Sequence, residues 1–251
     1  MNLLTVNQLT KVYKNEDLDR VVIDKLSLSI EADEFVCILG PSGCGKSTLI
    51  RCIAGFEEFD GQVLVNNKEI KSPGPDRLMV FQEFNQLFPW KTVARNVAYP
   101  LEISKKDKQT ITQVVDDSLY KVGLQKYKNY FPHQLSGGMK QRVAIARALA
   151  QKPNILLMDE PFASLDAMTR NALQDELLNI KSKENMTIIF ITHNIEEALI
   201  LGSRIIVLGK NGQIKLDLKN NLIKPVTPDC EGYGQLWRKL KESLEHNIEA
   251  V

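Results

Sequence analysis

No apolar run in the chain approaches the roughly 18 residues that a membrane-spanning helix needs. The opening residues, Met1–Asn7, also lack the charged start and long apolar stretch of a secretory signal. The sequence therefore predicts a soluble protein, held at a membrane only if another subunit holds it there. Charge of one sign is missing too. Lysine and arginine number 32 against 31 aspartate and glutamate, a formal net charge of +1. That gives no general case for nucleic-acid binding or for an acidic ligand surface, although a neutral sum leaves a local basic patch open. Cysteine is scarce. Cys37, Cys44, Cys52 and Cys230 form no C-x-x-C pair, so reduced thiols in a cytosolic protein are expected rather than a disulfide framework. Of the three histidines, His133 and His246 lack partners at metal-ligand spacing. Internal repeats and low-complexity linkers are absent. What remains is a 251-residue chain, 43% hydrophobic, which excludes global disorder and allows one large α/β domain or two small ones.

Against that background one stretch stands out. Gly40-Pro41-Ser42-Gly43-Cys44-Gly45-Lys46-Ser47-Thr48 fits G-x-x-x-x-G-K-[ST], the P-loop that cradles phosphates. Glycines let the backbone wrap closely around an anion with its N–H groups pointing inward. In that arrangement Lys46 reaches the β- and γ-phosphates and the Ser47 hydroxyl ligates Mg²⁺. The flanks agree. Glu34–Leu39 predicts a short buried strand, and Lys46–Ala54 predicts a helix whose N-terminus faces the phosphates, stopped by Gly55. The plainer alternative is a glycine-rich turn between strand and helix. Cys44 would lie beside the phosphates, either as an oxidation-sensitive thiol or as a small residue filling a variable loop position.

Up to about Phe81 the chain is strand-rich, with Leu3–Val12, Val21–Ile30, Glu34–Leu39, Gly61–Val65 and Leu78–Phe81 as strands. Asn66-Asn67 and Pro73-Gly74-Pro75 read as turns. From Thr92 to Ala150 the texture is helical, with distinct helices at Lys108–Val122 and Met139–Ala150. Strand and helix then alternate through Ile155–Met158, Met168–Lys181, Thr187–Thr192, Ile195–Leu201 and Arg204–Leu208, which implies a parallel sheet with helical crossovers. Gly209–Gly212 predicts a hairpin turn into Gln213–Leu216. Tyr233–Ile248 predicts a final helix, its apolar stripe docking on its own domain or, alternatively, on a partner.

A P-loop alone does not choose among kinases, GTPases, helicases and transport ATPases. The strand Ile155–Met158 ends in Asp159 and Glu160. Beside a P-loop, the first acid can hold Mg²⁺ directly or through water, and the second can polarise an attacking water as a general base. A strand-end acidic pair capping the next helix is the structural alternative. Leu135-Ser136-Gly137-Gly138-Met139-Lys140-Gln141-Arg142 then puts a serine and two glycines at a helix start, a second anion-binding N-terminus. With this segment the chain resembles the ATP-binding subunits of ABC transporters, whose signature motif it matches.

The resemblance implies an α/β fold: a P-loop NTPase (RecA-like) core with a mainly parallel sheet, an antiparallel β subdomain and an inserted α-helical subdomain. It implies one ABC ATPase domain over 1–251, with core and β subdomain at about 1–83 and 151–216, the helical subdomain at about 84–150 and a helical tail at about 217–251. Two cassettes would dimerise head to tail, so that Ser136, Gly137 and Gly138 contact nucleotide held by the other copy's P-loop. Met139 stands where many members have glutamine. Tyr13 takes the place of the family's adenine-stacking ring, and Gln82 that of the Q-loop glutamine that senses Mg²⁺ and the attacking water. Asp166, in Ala163-Ser164-Leu165-Asp166, corresponds to the D-loop aspartate, and His193 to the switch histidine at the γ-phosphate.

Three functions compete: the ATPase subunit of an importer with a separate permease, a soluble ABC ATPase of translation or DNA repair, and a module that has lost hydrolysis. Lys46, Ser47, Asp159, Glu160 and His193 are all present, which disfavours the third. A single P-loop, a single signature and only about fifty residues between Gln82 and Leu135 disfavour the second. Pro75–Glu83, Leu87–Val93 and Phe162–Arg170 are similar to the nitrate/sulfonate/taurine importer branch. That branch implies hydrolysis of ATP with Mg²⁺. Glu160, His193, Gln82 and Lys46 would serve catalysis, and Ser47, Gln82 and Asp159 the metal. The implied partners are a second, identical ATP-binding subunit and a membrane permease contacted near Phe84–Trp90. A solute-binding protein would act indirectly, and no nucleic acid is implied. Phe84, Phe88 and Trp90 would form a socket for a permease helix or pack the subdomain's own core. The expected location is the cytoplasmic face of the cell membrane, peripherally bound.

Overall fold

Where apolar side chains recur every second residue or form a short unbroken run the chain forms strands, and where they recur every third or fourth it forms helices. In chain order the strands are β1 (Asn2–Tyr13), β2 (Arg20–Glu31), β3 (Phe35–Leu39), β4 (Asp60–Val65), β5 (Lys68–Glu69), β6 (Arg77–Val80), β7 (Ile155–Asp159), β8 (Thr187–Ile191), β9 (Arg204–Leu208) and β10 (Ile214–Lys219). The helices are α1 (Lys46–Ala54), α2 (Val93–Ile103), α3 (Lys108–Lys121), α4 (Gly137–Leu149), α5 (Ala167–Lys183), α6 (Ile195–Leu201) and α7 (Tyr233–Glu245). The computed structural model describes residues 2–14, 18–82 and 86–245. They fall into two units: Met1–Gly74 with Leu157–Glu160 and Thr187–Val251, and Pro75–Leu156 with Pro161–Met186.

The first unit carries two sheets. One is antiparallel, in the order β2-β1-β4-β5. Its β4–β5 turn is Asn66-Asn67, both residues at positive φ (50° and 60°), as a tight hairpin requires. In the other sheet, β3 lies between two parallel neighbours: Cys37 stands opposite Phe190 of β8 on one side and Ile205 of β9 on the other. Every residue of β3 and β8 is buried, the mark of a parallel strand covered on both faces. β10 closes one edge, antiparallel to β9. The antiparallel sheet beside a mainly parallel α/β core is the architecture expected of the P-loop fold. At the C-terminus α7 packs on α6 and β9, with Tyr233 and Leu240 buried. The tail helix thus docks on its own unit. The predicted extension to Ile248 lies outside the described residues.

In the second unit α2, α3 and α4 pack on one another. Their starts are chemically marked. Thr92, Asp107 and Ser136 each accept a hydrogen bond from a backbone amide three residues on, and Asp166 does the same for α5. The Ser136 cap makes α4 begin at Gly137, two residues ahead of the sequence expectation. In the same unit β6 lies beside the start of β7, where the amides of Asn154 and Ile155 donate to the Asp76 carbonyl at 2.8 and 3.1 Å.

Candidate nucleotide site

The site grows from the carboxyl ends of β3, β7 and β8 in the first unit. β3 delivers the chain into the Gly40–Thr48 loop, and α1 leaves it. Gly45 caps α1 at φ 105°, and a Cβ there would stand 2.9 Å from the Val22 carbonyl oxygen, so the position demands glycine on both counts. The loop borders a cavity of about 530 Å³, lined by Ser42, Gly43, Gly45, Lys46, Ser47 and Thr48, with Tyr13, Arg20 and Val22 from the antiparallel sheet and Glu160 from the end of β7. The Lys46 ammonium donates to the carbonyls of Gly40 and Pro41 at 2.8 and 2.9 Å. Tyr13, half-buried, is held by Lys11, whose Nζ lies 4.7 Å from the ring centre and pairs with Glu57 at 3.0 Å.

Cys44 is not on the lining. Its side chain is buried, with Sγ 4.0 Å from Lys46 Nζ, and burial pushes its thiol pKa up against the opposing pull of that ammonium. Of the two readings open for Cys44, the structure favours the space-filling one.

Two polar pairs stand at the strand ends. Ser47 Oγ donates to Asp159 Oδ1 at 2.8 Å. Burial raises the Asp159 carboxyl above its ordinary pKa and the Glu160 charge adds to this, while the Ser47 hydroxyl, Arg51 and Lys46 oppose it. A hydroxyl and a carboxylate are hard oxygen donors, and no group of three or more His, Cys, Asp or Glu among the described residues is disposed to cage a metal. That set fits Mg²⁺, which takes one or two protein oxygens and completes its shell with phosphates and water. In the second pair, Glu160 Oε2 lies 3.2 Å from His193 Nδ1. Glu160 has positive φ (44°), and its amide donates to the Ile191 carbonyl at 3.1 Å. This turn aims its side chain into the cavity rather than along the strand. Carboxylate and imidazole together can accept a proton from a water and orient it.

The His193 loop has its own support. Thr192 Oγ1 donates to the buried Glu197 at 2.5 Å and accepts the Asn194 amide at 3.0 Å. Asn194 Oδ1 in turn accepts from the Glu196 and Glu197 amides. Sequence reasoning missed this brace, and it missed Arg20 on the cavity lining. The brace depends on where α6 starts, and no spacing in the sequence marks it.

The structure therefore brings Tyr13, Lys46, Ser47, Asp159, Glu160 and His193 together within the first unit. Gln82, Ser136, Gly137, Gly138 and Asp166 belong to the second. There Gln82 is exposed just past β6. Ser136 Oγ accepts the Met139 amide as the cap of α4, and Gly138 packs against Thr169 where a Cβ would clash. Asp166 accepts from the Thr169 amide and hydroxyl, bonds that hold its pKa below the usual carboxylate range. His133 stacks on Phe131 at 5.8 Å.

Residues 23–163 match the sequence model of the family described as "ABC transporter". The chain belongs to the ABC transporter family. It is 39% identical over 245 residues to the aliphatic sulfonates import ATP-binding protein SsuB of Bacillus thuringiensis, covering 97% of this chain and 96% of that relative. It is 46% identical over 191 residues to the nitrate import ATP-binding protein NrtD of Synechococcus elongatus, covering 75% and 69%. Among solved structures it is similar to a dimeric ATP-binding cassette in a post-hydrolysis state bound to ADP and Pi. There the TM-score is 0.77 at 33% identity, over 88% of this chain and all of that one. The chain is an ABC ATP-binding subunit similar to those of sulfonate and nitrate importers, and an ATPase. Among the described residues no helix is long and apolar enough to cross a membrane.

Proposed function

We propose that the chain is the energy-coupling subunit of an importer for a small solute of the nitrate, sulfonate or taurine type. It acts as one of two identical cassettes on a separate membrane permease, at the cytoplasmic face of the membrane. The observation that carries the reading is the pairing of Ser47 with Asp159 and of Glu160 with His193 around one P-loop cavity, in a chain whose relatives are importer subunits. Neither relative supports the alternative of a translation or DNA-repair ATPase.

In this reading Tyr13 stacks on the adenine. The loop residues Gly40, Ser42, Gly43, Cys44, Gly45 and Thr48 wrap the phosphates with backbone amides, Pro41, which has no N–H, shapes the loop between them, and Lys46 neutralises phosphate charge. Ser47 and Asp159 would hold Mg²⁺. A metal held there would supply positive charge to offset the negative charge of the phosphates. Glu160 takes a proton from the attacking water, and His193 holds that water and the terminal phosphate in line. Ser136, Gly137 and Gly138 of each copy contact the other copy's nucleotide, and Asp166 contributes at the same seam.

For the permease contact, Trp90 is 71% exposed and stacks at 5.6 Å on Phe88, which in turn meets Tyr99 edge-on at 4.5 Å. Phe84, named with them from the sequence, lies outside the described residues. A solute-binding protein delivers cargo to the permease without touching this chain.

The test is reconstitution. The chain, the permease encoded with it and the cognate binding protein are assembled in vesicles, and uptake of labelled sulfonates and nitrate is followed. ATP-dependent uptake that disappears with Lys46→Ala supports the reading. ATPase activity stimulated by DNA or ribosomes, with no permease co-purifying, overturns it.

A further inference from the structure

The nucleotide cavity has a second cation on its lining that no motif accounts for. Among the residues that border it, only Lys46 and Arg20 are positively charged. Arg20 opens β2, and the β1–β2 register sets it directly opposite Tyr13. Residues paired in this way across antiparallel strands present their side chains on one face, with Cβ atoms about 5 Å apart. The ring and the guanidinium therefore share a face. Val22, two residues further along β2, borders the same cavity. Its Cγ1 stands 3.5 Å from where a Cβ at Gly45 would be, so this part of β2 lies against the P-loop. Arg20 itself reaches the loop: Nη2 lies 3.8 Å from where a Cβ at Gly43 would be. Among the described residues Arg20 is engaged in no ion pair. A planar guanidinium with free donors, set between an aromatic ring and a phosphate cradle, matches the bidentate geometry of phosphate oxygens.

We infer that Arg20 is a nucleotide-binding residue, contacting the phosphate chain of the nucleotide at Gly43 and adding a second cation to the one Lys46 supplies. The inference rests on the reading of this cavity as the ATP site. Arg20 favours nucleotides that carry a polyphosphate over the bare nucleoside, and its contribution weakens as salt rises.

The test is equilibrium binding of fluorescent N-methylanthraniloyl ATP, ADP and adenosine to the full chain and to the variants Arg20→Ala, Arg20→Lys and Lys46→Ala. Circular dichroism checks that each variant is folded. Arg20→Ala is expected to weaken ATP and ADP binding about tenfold at low salt, while adenosine stays within about twofold of wild type. Arg20→Lys should recover part of the loss, because it restores the charge without the planar fork. The dependence of ATP affinity on salt should be shallower in Arg20→Ala than in wild type. ATP affinity unchanged in Arg20→Ala, or adenosine weakened as much as ATP, overturns the inference. The Lys46→Ala arm separates the two failures. If that variant loses ATP affinity and Arg20→Ala does not, only the Arg20 assignment fails; if neither loses it, the nucleotide-site reading fails.

Discussion

Replacing Asp159 by asparagine should make the nucleotide-free chain more stable. Asp159 is 5% exposed, and burial is the largest influence on its carboxyl, reinforced by Glu160 and only partly offset by Ser47, Arg51 and Lys46. Its pKa in the folded chain therefore lies above the unfolded value of about 3.9. Between those two values the folded chain binds more protons than the unfolded one, so stability falls as pH rises through that window. At neutral pH the ionised carboxylate is a net cost. Asparagine keeps the shape, and its Oδ1 still accepts from the Ser47 hydroxyl that now bonds at 2.8 Å. Relief of a strained active-site group is commonly worth about 0.5–2 kcal/mol. For a chain of this size that is roughly 2–4 °C in Tm per kcal/mol. Differential scanning fluorimetry with a chelator present, from acid to neutral pH, measures the gap between variant and wild type. The gap should open as pH rises and close in acid. An Asp159→Asn protein that melts below wild type at neutral pH, or a gap that widens toward acid, would refute the electrostatic reasoning.

Glu160→Gln removes the proposed base while preserving the side-chain shape. Phosphate release should fall about 10²–10⁴-fold, with ATP affinity within about twofold by equilibrium binding. Turnover near wild type would take Glu160 out of that role. Trp90→Ala should leave basal ATPase activity and Tm close to wild type, because the ring is largely exposed. Co-purification with the permease should fall, whereas equal loss of ATPase activity would mean that the ring holds the subdomain together. Maleimide should label Cys230 before the other three cysteines, as read by peptide mass spectrometry. Cys37, Cys44 and Cys52 are buried with thiol pKa values pushed upward by burial, that of Cys52 to about 12. Faster labelling of Cys44 would contradict the inward packing of its side chain.

Most of the fold could be read in advance, for local reasons. β3 and β8 are short apolar runs because both of their faces are covered, and the Gly55 stop and the Asn66-Asn67 turn have their own backbone signatures. The misses are equally physical. α2 was not delimited because Pro100 interrupts its pattern, and β5 is two residues long, below any periodicity. α4 began early because Ser136 serves as a cap, which the glycines after it disguise. For the site, the P-loop and the Asp159-Glu160 pair are contiguous in sequence and therefore visible. The share of Arg20 in the cavity depends on strand register, and the brace from Thr192 to Glu197 depends on where α6 starts. Neither is written in spacing alone.

The left-handed backbone of Glu160 has a consequence for what position 160 tolerates. A non-glycine residue at φ 44° stores about 1 kcal/mol, more when the side chain is β-branched. Glycine and asparagine adopt that conformation with less strain. A saturation library at this codon would thus sort along two axes. Glycine and asparagine would fold as well as the parent yet fail to hydrolyse ATP, and valine and isoleucine would fail on both counts. On the proposed role of Glu160 as base, the residue found there follows the chemistry rather than the backbone's own preference.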